Sequence, residues 1–104
     1  MKLSNDFNTA FVKFLMGAQA IVDKNLEQYE FYFPIELVAE KGRRYIRIVS
    51  KGEAQSSAYC FIDMTNGDVL KCAGWKSPAK HARGNIFNAD NGVGAVGPHG
   101  ARYL

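Results

Sequence analysis

An Asn-Gly pair at positions 66 and 67, set between two runs rich in strand formers, constrains the fold of this chain more than any other feature. Tyr59-Cys60-Phe61-Ile62-Asp63 precedes it and Asp68-Val69-Leu70-Lys71-Cys72 follows, the pattern of a β-hairpin. Two registers compete. A two-residue turn sets Asp63 opposite Leu70 and Ile62 opposite Lys71, which mixes polar and apolar residues on each face. A three-residue loop, Thr65 to Gly67 with Gly67 at positive φ, sets Ile62 opposite Leu70 and Cys60 opposite Cys72. The second is preferred, because a one-residue slip turns the whole apolar set over to the other face. It brings the two thiols face to face, and in a reducing compartment both are expected to stay free and buried.

Around the hairpin the periodicities specify the other elements. Phe7, Ala10, Phe11, Phe14, Leu15, Ala18, Ile21 and Val22 recur at three- and four-residue spacing, which predicts a helix over 6–23 with one apolar face, capped by Ser4 or Asn5. The polar face offers too few cations for a membrane-surface helix. Tyr29, Phe31, Tyr32 and Phe33 lead through Pro34 into an alternating run in which Ile35, Leu37 and Ala39 oppose Glu36, Val38 and Glu40. After Lys41-Gly42 a second strand carries Arg44, Ile46, Ile48 and Ser50 on one side and Arg43, Tyr45, Arg47 and Val49 on the other. The fold expected is α+β in a single domain: an N-terminal helix packed on a four-stranded antiparallel β-meander, with strands near 34–40, 44–50, 57–64 and 68–75. An irregular C-terminal segment rich in glycine follows, and Tyr103-Leu104 is apolar enough to dock.

Charge is distributed unevenly. Of the 13 Lys and Arg residues, nine fall in two windows that contain no acid: Lys41, Arg43, Arg44, Arg47 and Lys51, then Lys71, Lys76, Lys80 and Arg83. Such windows create a local positive field that attracts phosphates or acidic partners although the net charge is only +3. The alternative is a solvated face whose balancing acids lie near in space.

The aliphatic side of the second strand fixes its other side, so Arg43, Tyr45 and Arg47 should share a face with Tyr59, Phe61, Asp63, Lys71 and Trp75. Rings interleaved with cations on an open sheet suit single-stranded nucleic acid, the rings stacking on bases and the cations meeting phosphates. The alternative has the C-terminal segment folded across this face, burying the rings and leaving the cations at the rim.

Beyond Trp75, Pro78 can open a short helical turn that places Lys80 and Arg83 on one side with His81 between them. Arg83-Gly84-Asn85 then reads as a tight turn with Gly84 or Asn85 at positive φ. Its amides could hold an anion beside Arg83, or the turn simply anchors Ile86 and Phe87 in the core. The candidate binding residues are therefore Arg43, Tyr45, Arg47, Phe61, Lys71, Trp75, Lys76, Lys80, His81, Arg83 and Asn85.

The hairpin, the segment Trp75-Lys76-Ser77-Pro78-Ala79-Lys80-His81-Ala82-Arg83-Gly84-Asn85-Ile86-Phe87 and the terminal Tyr103-Leu104 resemble small uncharacterised proteins of tailed bacteriophages. The likeness covers the half of the chain from Tyr59 onward. It implies a viral gene product acting in the host bacterial cytoplasm or the virion, and it brings no activity and no functional residues.

No nucleophile with a base, carboxylate pair or close ligand pair suggests an enzyme or a cofactor, and Cys60, Cys72, His81 and His99 are too dispersed for a structural zinc site. No apolar run approaches the roughly 20 residues that span a bilayer, and the polar start lacks the apolar region of a signal peptide. The expectation is a non-catalytic accessory protein without cofactor that binds an anionic partner through the basic, aromatic sheet face and loop, with single-stranded nucleic acid or a nucleotide as the candidate. The alternative is a protein-interaction module, either a host-factor inhibitor or a virion component, with homo-oligomers allowed.

Overall fold

The computed structural model describes residues 5–53 and 55–102. Helix α1 (Asn5–Leu26) is followed by five strands, β1 (Glu36–Lys41), β2 (Tyr45–Lys51), β3 (Ser56–Asp63), β4 (Asp68–Cys72) and β5 (Pro78–Asn85). They form one antiparallel sheet in the order β1-β2-β3-β4-β5. A 3₁₀ turn at Val93–Ala95 leads to a second, two-stranded sheet of β6 (Val96–Gly97) and β7 (Gly100–Ala101). The α+β architecture matches the sequence pattern, with one strand more than the meander anticipates. The capping expected of Ser4 and the docking expected of Tyr103 and Leu104 fall outside the described residues.

α1 buries the stripe Phe7, Ala10, Phe14, Ala18 and Val22, as its periodicity dictates, against one face of the sheet. Leu37, Ile46, Ile48, Cys60, Ile62 and Val69 meet it there. Removing a side chain such as Phe14 or Ile62 from water contributes about 1.5–3 kcal/mol, which is what holds helix to sheet. Gln19 adds a polar tie by treating β1 as a strand partner would. Its amide nitrogen donates to the Ile35 carbonyl at 2.7 Å, and its amide oxygen accepts from the Leu37 N–H at 2.8 Å. Part of the β1 edge is thereby closed to another strand.

The hairpin register differs from both sequence expectations. Phe61 stands opposite Leu70 and Ile62 opposite Val69, so the loop is the four residues Met64 to Gly67. Gly67 takes positive φ (82°), as expected, and its N–H donates to the Asp63 carbonyl at 2.7 Å. Asp63 shapes the loop from its other end, where one carboxylate oxygen accepts from the Thr65 N–H at 2.8 Å and the Thr65 hydroxyl at 2.6 Å. Burial of Met64 in the loop and of Leu70 and Phe61 on the far face explains the register, because both faces of this hairpin reward apolar residues.

Cys60 and Cys72 consequently do not face each other. Cys60 joins the helix-side core, whereas strand alternation from Leu70 carries Cys72 to the far side. Both are free thiols.

Two further departures come from bulges. Ile48 pairs with Cys60 but Val49 with Ala58, leaving Tyr59 as an extra residue that turns into the helix-side core instead of sharing a face with Phe61. Its hydroxyl donates to the Gly97 carbonyl at 2.6 Å. The segment from Pro78 is not a helical turn but strand β5, paired with β4 through two register shifts. Gly84 and Asn85 lie within that strand, and neither has positive φ. Gly84 is there for space, since a Cβ at this position would lie 2.8 Å from the Cβ of Ala95.

The tail packs beside α1 and not across the far face: Ala95, Val96 and Ala101 enter the helix-side core. Asp90 organises it by accepting from the Gly92 and Gly94 N–H groups at 2.9 and 3.0 Å. The glycine-rich composition thus encodes a tight packed turn rather than a loose end.

Candidate binding site

The face of the sheet away from α1 is built from two cross-strand rows. Glu40, Arg47, Phe61 and Leu70 stand side by side on β1 to β4, and Tyr45 stands opposite Asp63 in the row nearer the β1–β2 turn. Where that turn meets the sheet, Glu40, Lys41, Gly42, Arg43, Arg44, Tyr45, Arg47, Phe61 and Lys76 line a cleft of about 360 Å³. Its floor is aromatic. The rings of Tyr45 and Phe61 meet edge to face at 6.2 Å and 77°, with Phe61 buried and Tyr45 half-buried.

Two of the five cations are held by acids. Arg44 donates from Nε and Nη2 to Asp63 Oδ2 at 3.3 and 3.0 Å, and its guanidinium lies 5.2 Å from the Tyr45 ring. This ties the β1–β2 turn to the hairpin loop, as does the Met64 N–H donated to the Arg44 carbonyl at 2.8 Å. Burial by itself acts to raise the Asp63 pKa, but the hydrogen bonds from Thr65 and Arg44 outweigh it, and the carboxyl lies below its ordinary range. The same bond, reinforced by the carboxylate charge, raises Arg44.

Arg47 is the second. Its Nε and Nη2 donate to Glu40 Oε1 at 3.1 and 2.8 Å, its Nη1 donates to the Trp75 carbonyl at 3.2 Å, and its guanidinium lies 4.3 Å over the Trp75 ring. The loop between β4 and β5 is thereby drawn over the far face, which brings Lys76 to the cleft. Lys41, Arg43 and Lys76 are exposed and have no ion-pair partner among the described residues. The cleft therefore keeps three positive charges in excess beside two rings.

Of the residues the sequence singles out, Arg43, Tyr45, Arg47, Phe61 and Lys76 converge here, and Trp75 stands beside them on Arg47. The others do not. Strand alternation puts Lys71 on the helix side with Val69. Lys80 and His81 are exposed on β5, at the edge of the sheet. Arg83 donates to the carbonyls of His81 and, at 3.1 Å, Arg102, which makes it a strap between β5 and the tail. The Asn85 amide nitrogen donates to the Asn66 carbonyl at 2.8 Å and to Asp68 at 3.0 Å, so it braces the hairpin and no anion-holding turn forms beside Arg83.

Four lining residues lie outside the anticipated set: Gly42 of the turn, Lys41, Arg44 and Glu40. Lys41 belonged to the basic window but was assigned to a turn. Arg44 was placed on the aliphatic side by alternation, whereas it precedes β2 and bends to Asp63. Glu40 shares a face of β1 with Glu36 and Val38 in the sequence pattern, and the strand pairing sets it across from Arg47. Among the described residues, no group of three or more His, Cys, Asp or Glu could hold a metal ion, and no helix is long and apolar enough to cross a membrane.

The model of a family of unknown function (DUF7717) matches residues 1–96, a stretch that includes every residue lining the cleft. No curated protein and no solved structure matches the chain significantly. The chain belongs to the DUF7717 family.

Proposed function

We propose that this DUF7717 protein is a non-catalytic accessory protein of a tailed bacteriophage that binds an anionic partner in the cleft at the β1–β2 turn. Single-stranded nucleic acid or a nucleotide is the partner that fits, in the host cytoplasm or the virion. One observation carries this reading: Lys41, Arg43 and Lys76 surround the Tyr45 and Phe61 rings without an acid to neutralise them. The excess charge attracts phosphate, and the neighbouring rings offer apolar contact that a solvated charge patch would lack. Because Phe61 is buried, stacking falls to Trp75, which is 44% exposed, and to the accessible part of Tyr45. Phosphate contact thus supplies more of the affinity than base stacking.

The test is a titration of labelled single-stranded oligonucleotide, followed by anisotropy, between roughly 50 and 200 mM salt. Three phosphate contacts predict that log K falls against log salt with a slope of about −2, from about −0.7 per contact on a single strand. Arg43→Glu with Lys76→Glu should abolish binding. Absence of binding to DNA, RNA and nucleotides at low salt, or binding unchanged in that variant, overturns the proposal.

A second reading, a protein-interaction module, is favoured by a different observation. The connector between α1 and β1 leaves Tyr29, Phe31, Tyr32 and Phe33 exposed together.

A further inference from the structure

The connector is aromatic and also acidic. From Asn25 to Glu40 the chain has no Lys or Arg but carries Glu27, Glu30, Glu36 and Glu40. Phe31 is 88% exposed, Phe33 63%, Tyr29 54% and Tyr32 49%. Phe33 and Ile35 line a depression with Gly52, Glu53 and Gln55, which adds a fourth acid, Glu53, to Glu27, Glu30 and Glu36 at this end of the sheet. Lys51 stands across from Glu36 in the strand register.

This surface and the basic cleft are complementary, and they lie at opposite ends of β1. Glu36 begins the strand and Lys41 ends it, a separation of about 17 Å at the usual rise of an extended chain. The connector cannot reach the cleft of its own molecule. The helix end holds one side of it through the Tyr29 N–H donated to the Leu26 carbonyl, and Gln19 holds the other at the Ile35 carbonyl.

We infer that the acidic aromatic connector of one copy docks in the basic cleft of the next, so that the protein associates head to tail with itself. The cleft offers Lys41, Arg43 and Lys76 to Glu27 and Glu30, and its Tyr45 and Phe61 floor to Phe31 or Phe33. An aromatic side chain brings 150–250 Å² of surface to such a contact, roughly. With the two surfaces at opposite ends of β1, each copy engages one neighbour through its cleft and another through its connector, a heterologous contact that extends into a chain. Reciprocal docking between the same two copies would instead close a two-fold dimer, and sedimentation separates the two. The inference rests on the basic cleft but not on its nucleic-acid reading.

Sedimentation velocity over a hundredfold range of concentration tests it with two variants, each lacking one half of the contact. Phe31→Ser with Phe33→Ser removes the docking segment, and Arg43→Glu with Lys76→Glu removes the cleft. All four residues are exposed, and circular dichroism checks that both variants remain folded. The wild-type protein should grow past the dimer as concentration rises and revert to monomer at high salt. Each variant alone should stay monomeric, and the two mixed should form a one-to-one dimer and nothing larger, because one competent connector meets one competent cleft. A monomeric wild type, a closed dimer, or a mixture that does not pair overturns the inference. Adding oligonucleotide separates the two proposals. Where both hold, it dissolves the chains; chains that persist and bind no oligonucleotide support self-association and remove the nucleic-acid reading.

Discussion

The guanidinium of Arg47 lies 4.3 Å over the ring of Trp75 while one of its nitrogens donates to the Trp75 backbone carbonyl. A single side chain on β2 thus fixes both the ring and the backbone of a loop between β4 and β5. With Glu40 holding the rest of the fork, the loop is kept over the far face of the sheet and Lys76 is kept at the cleft.

Trp75 is the one tryptophan of the chain, so its fluorescence reports this contact directly. Arg47→Ala should expose it, with a red-shifted emission and faster acrylamide quenching, and should cost about 1 kcal/mol of stability. Arg47→Lys keeps the charge but loses the planar fork, and should move the emission nearly as far.

Asp63 predicts an acid limb in the stability curve. Its folded pKa is depressed, so the stabilisation is present above the ordinary carboxylate range and is lost as pH falls through that range to the folded value. Thermal melts of Asp63→Asn should show a flatter decline below about pH 4 than the parent. At neutral pH the variant should be less stable by about 1–3 kcal/mol, since an amide keeps one acceptor oxygen and sets an N–H donor against either Arg44 or Thr65.

Gly84 marks the closest approach of β5 to the tail. Gly84→Ala should destabilise the protein by about 1–3 kcal/mol, because the new methyl would meet the Ala95 methyl at 2.8 Å. Ala95→Gly in the same chain should return part of the loss. Denaturant melts of the two single variants and the double variant decide this, and additive losses would show that the clash is not the cause.

The two thiols should react one after the other. Burial pushes Cys60 well above the ordinary thiol range, with the charge of Cys72 adding to it; burial also raises Cys72, and Lys71 and Arg47 offset only part of that rise. A maleimide should label the half-buried Cys72 first and reach Cys60 only on unfolding. Intact mass under non-reducing conditions should show no bridge, as the two side chains leave the sheet on opposite faces.

Where periodicity faces a single environment, the sequence determined the outcome by itself. The buried stripe of α1 follows from three- and four-residue spacing. The alternation of β1 and β2 follows from apolar residues on the helix side, and the turn at Asn66-Gly67 with its positive φ follows from the backbone that only certain residues adopt readily. The clustering of Lys41, Arg43, Arg44 and Arg47 was equally legible, because it is a property of composition.

Only the tertiary structure decided what depends on a partner segment. Polarity selects the wrong hairpin register because Phe61 and Leu70 find burial on the far face as Ile62 and Val69 do on the near one. β5 forms where Pro78 and Gly84 carry turn chemistry locally, because the open edge of β4 offers hydrogen bonds that outweigh it. Arg43, Tyr45, Arg47 and Phe61 converged because strand alternation is local, and Lys76 joined them because Arg47 holds its loop over the far face. Lys71, Lys80, His81, Arg83 and Asn85 did not, because the register and the bulges that place them were settled by contacts distant in the chain.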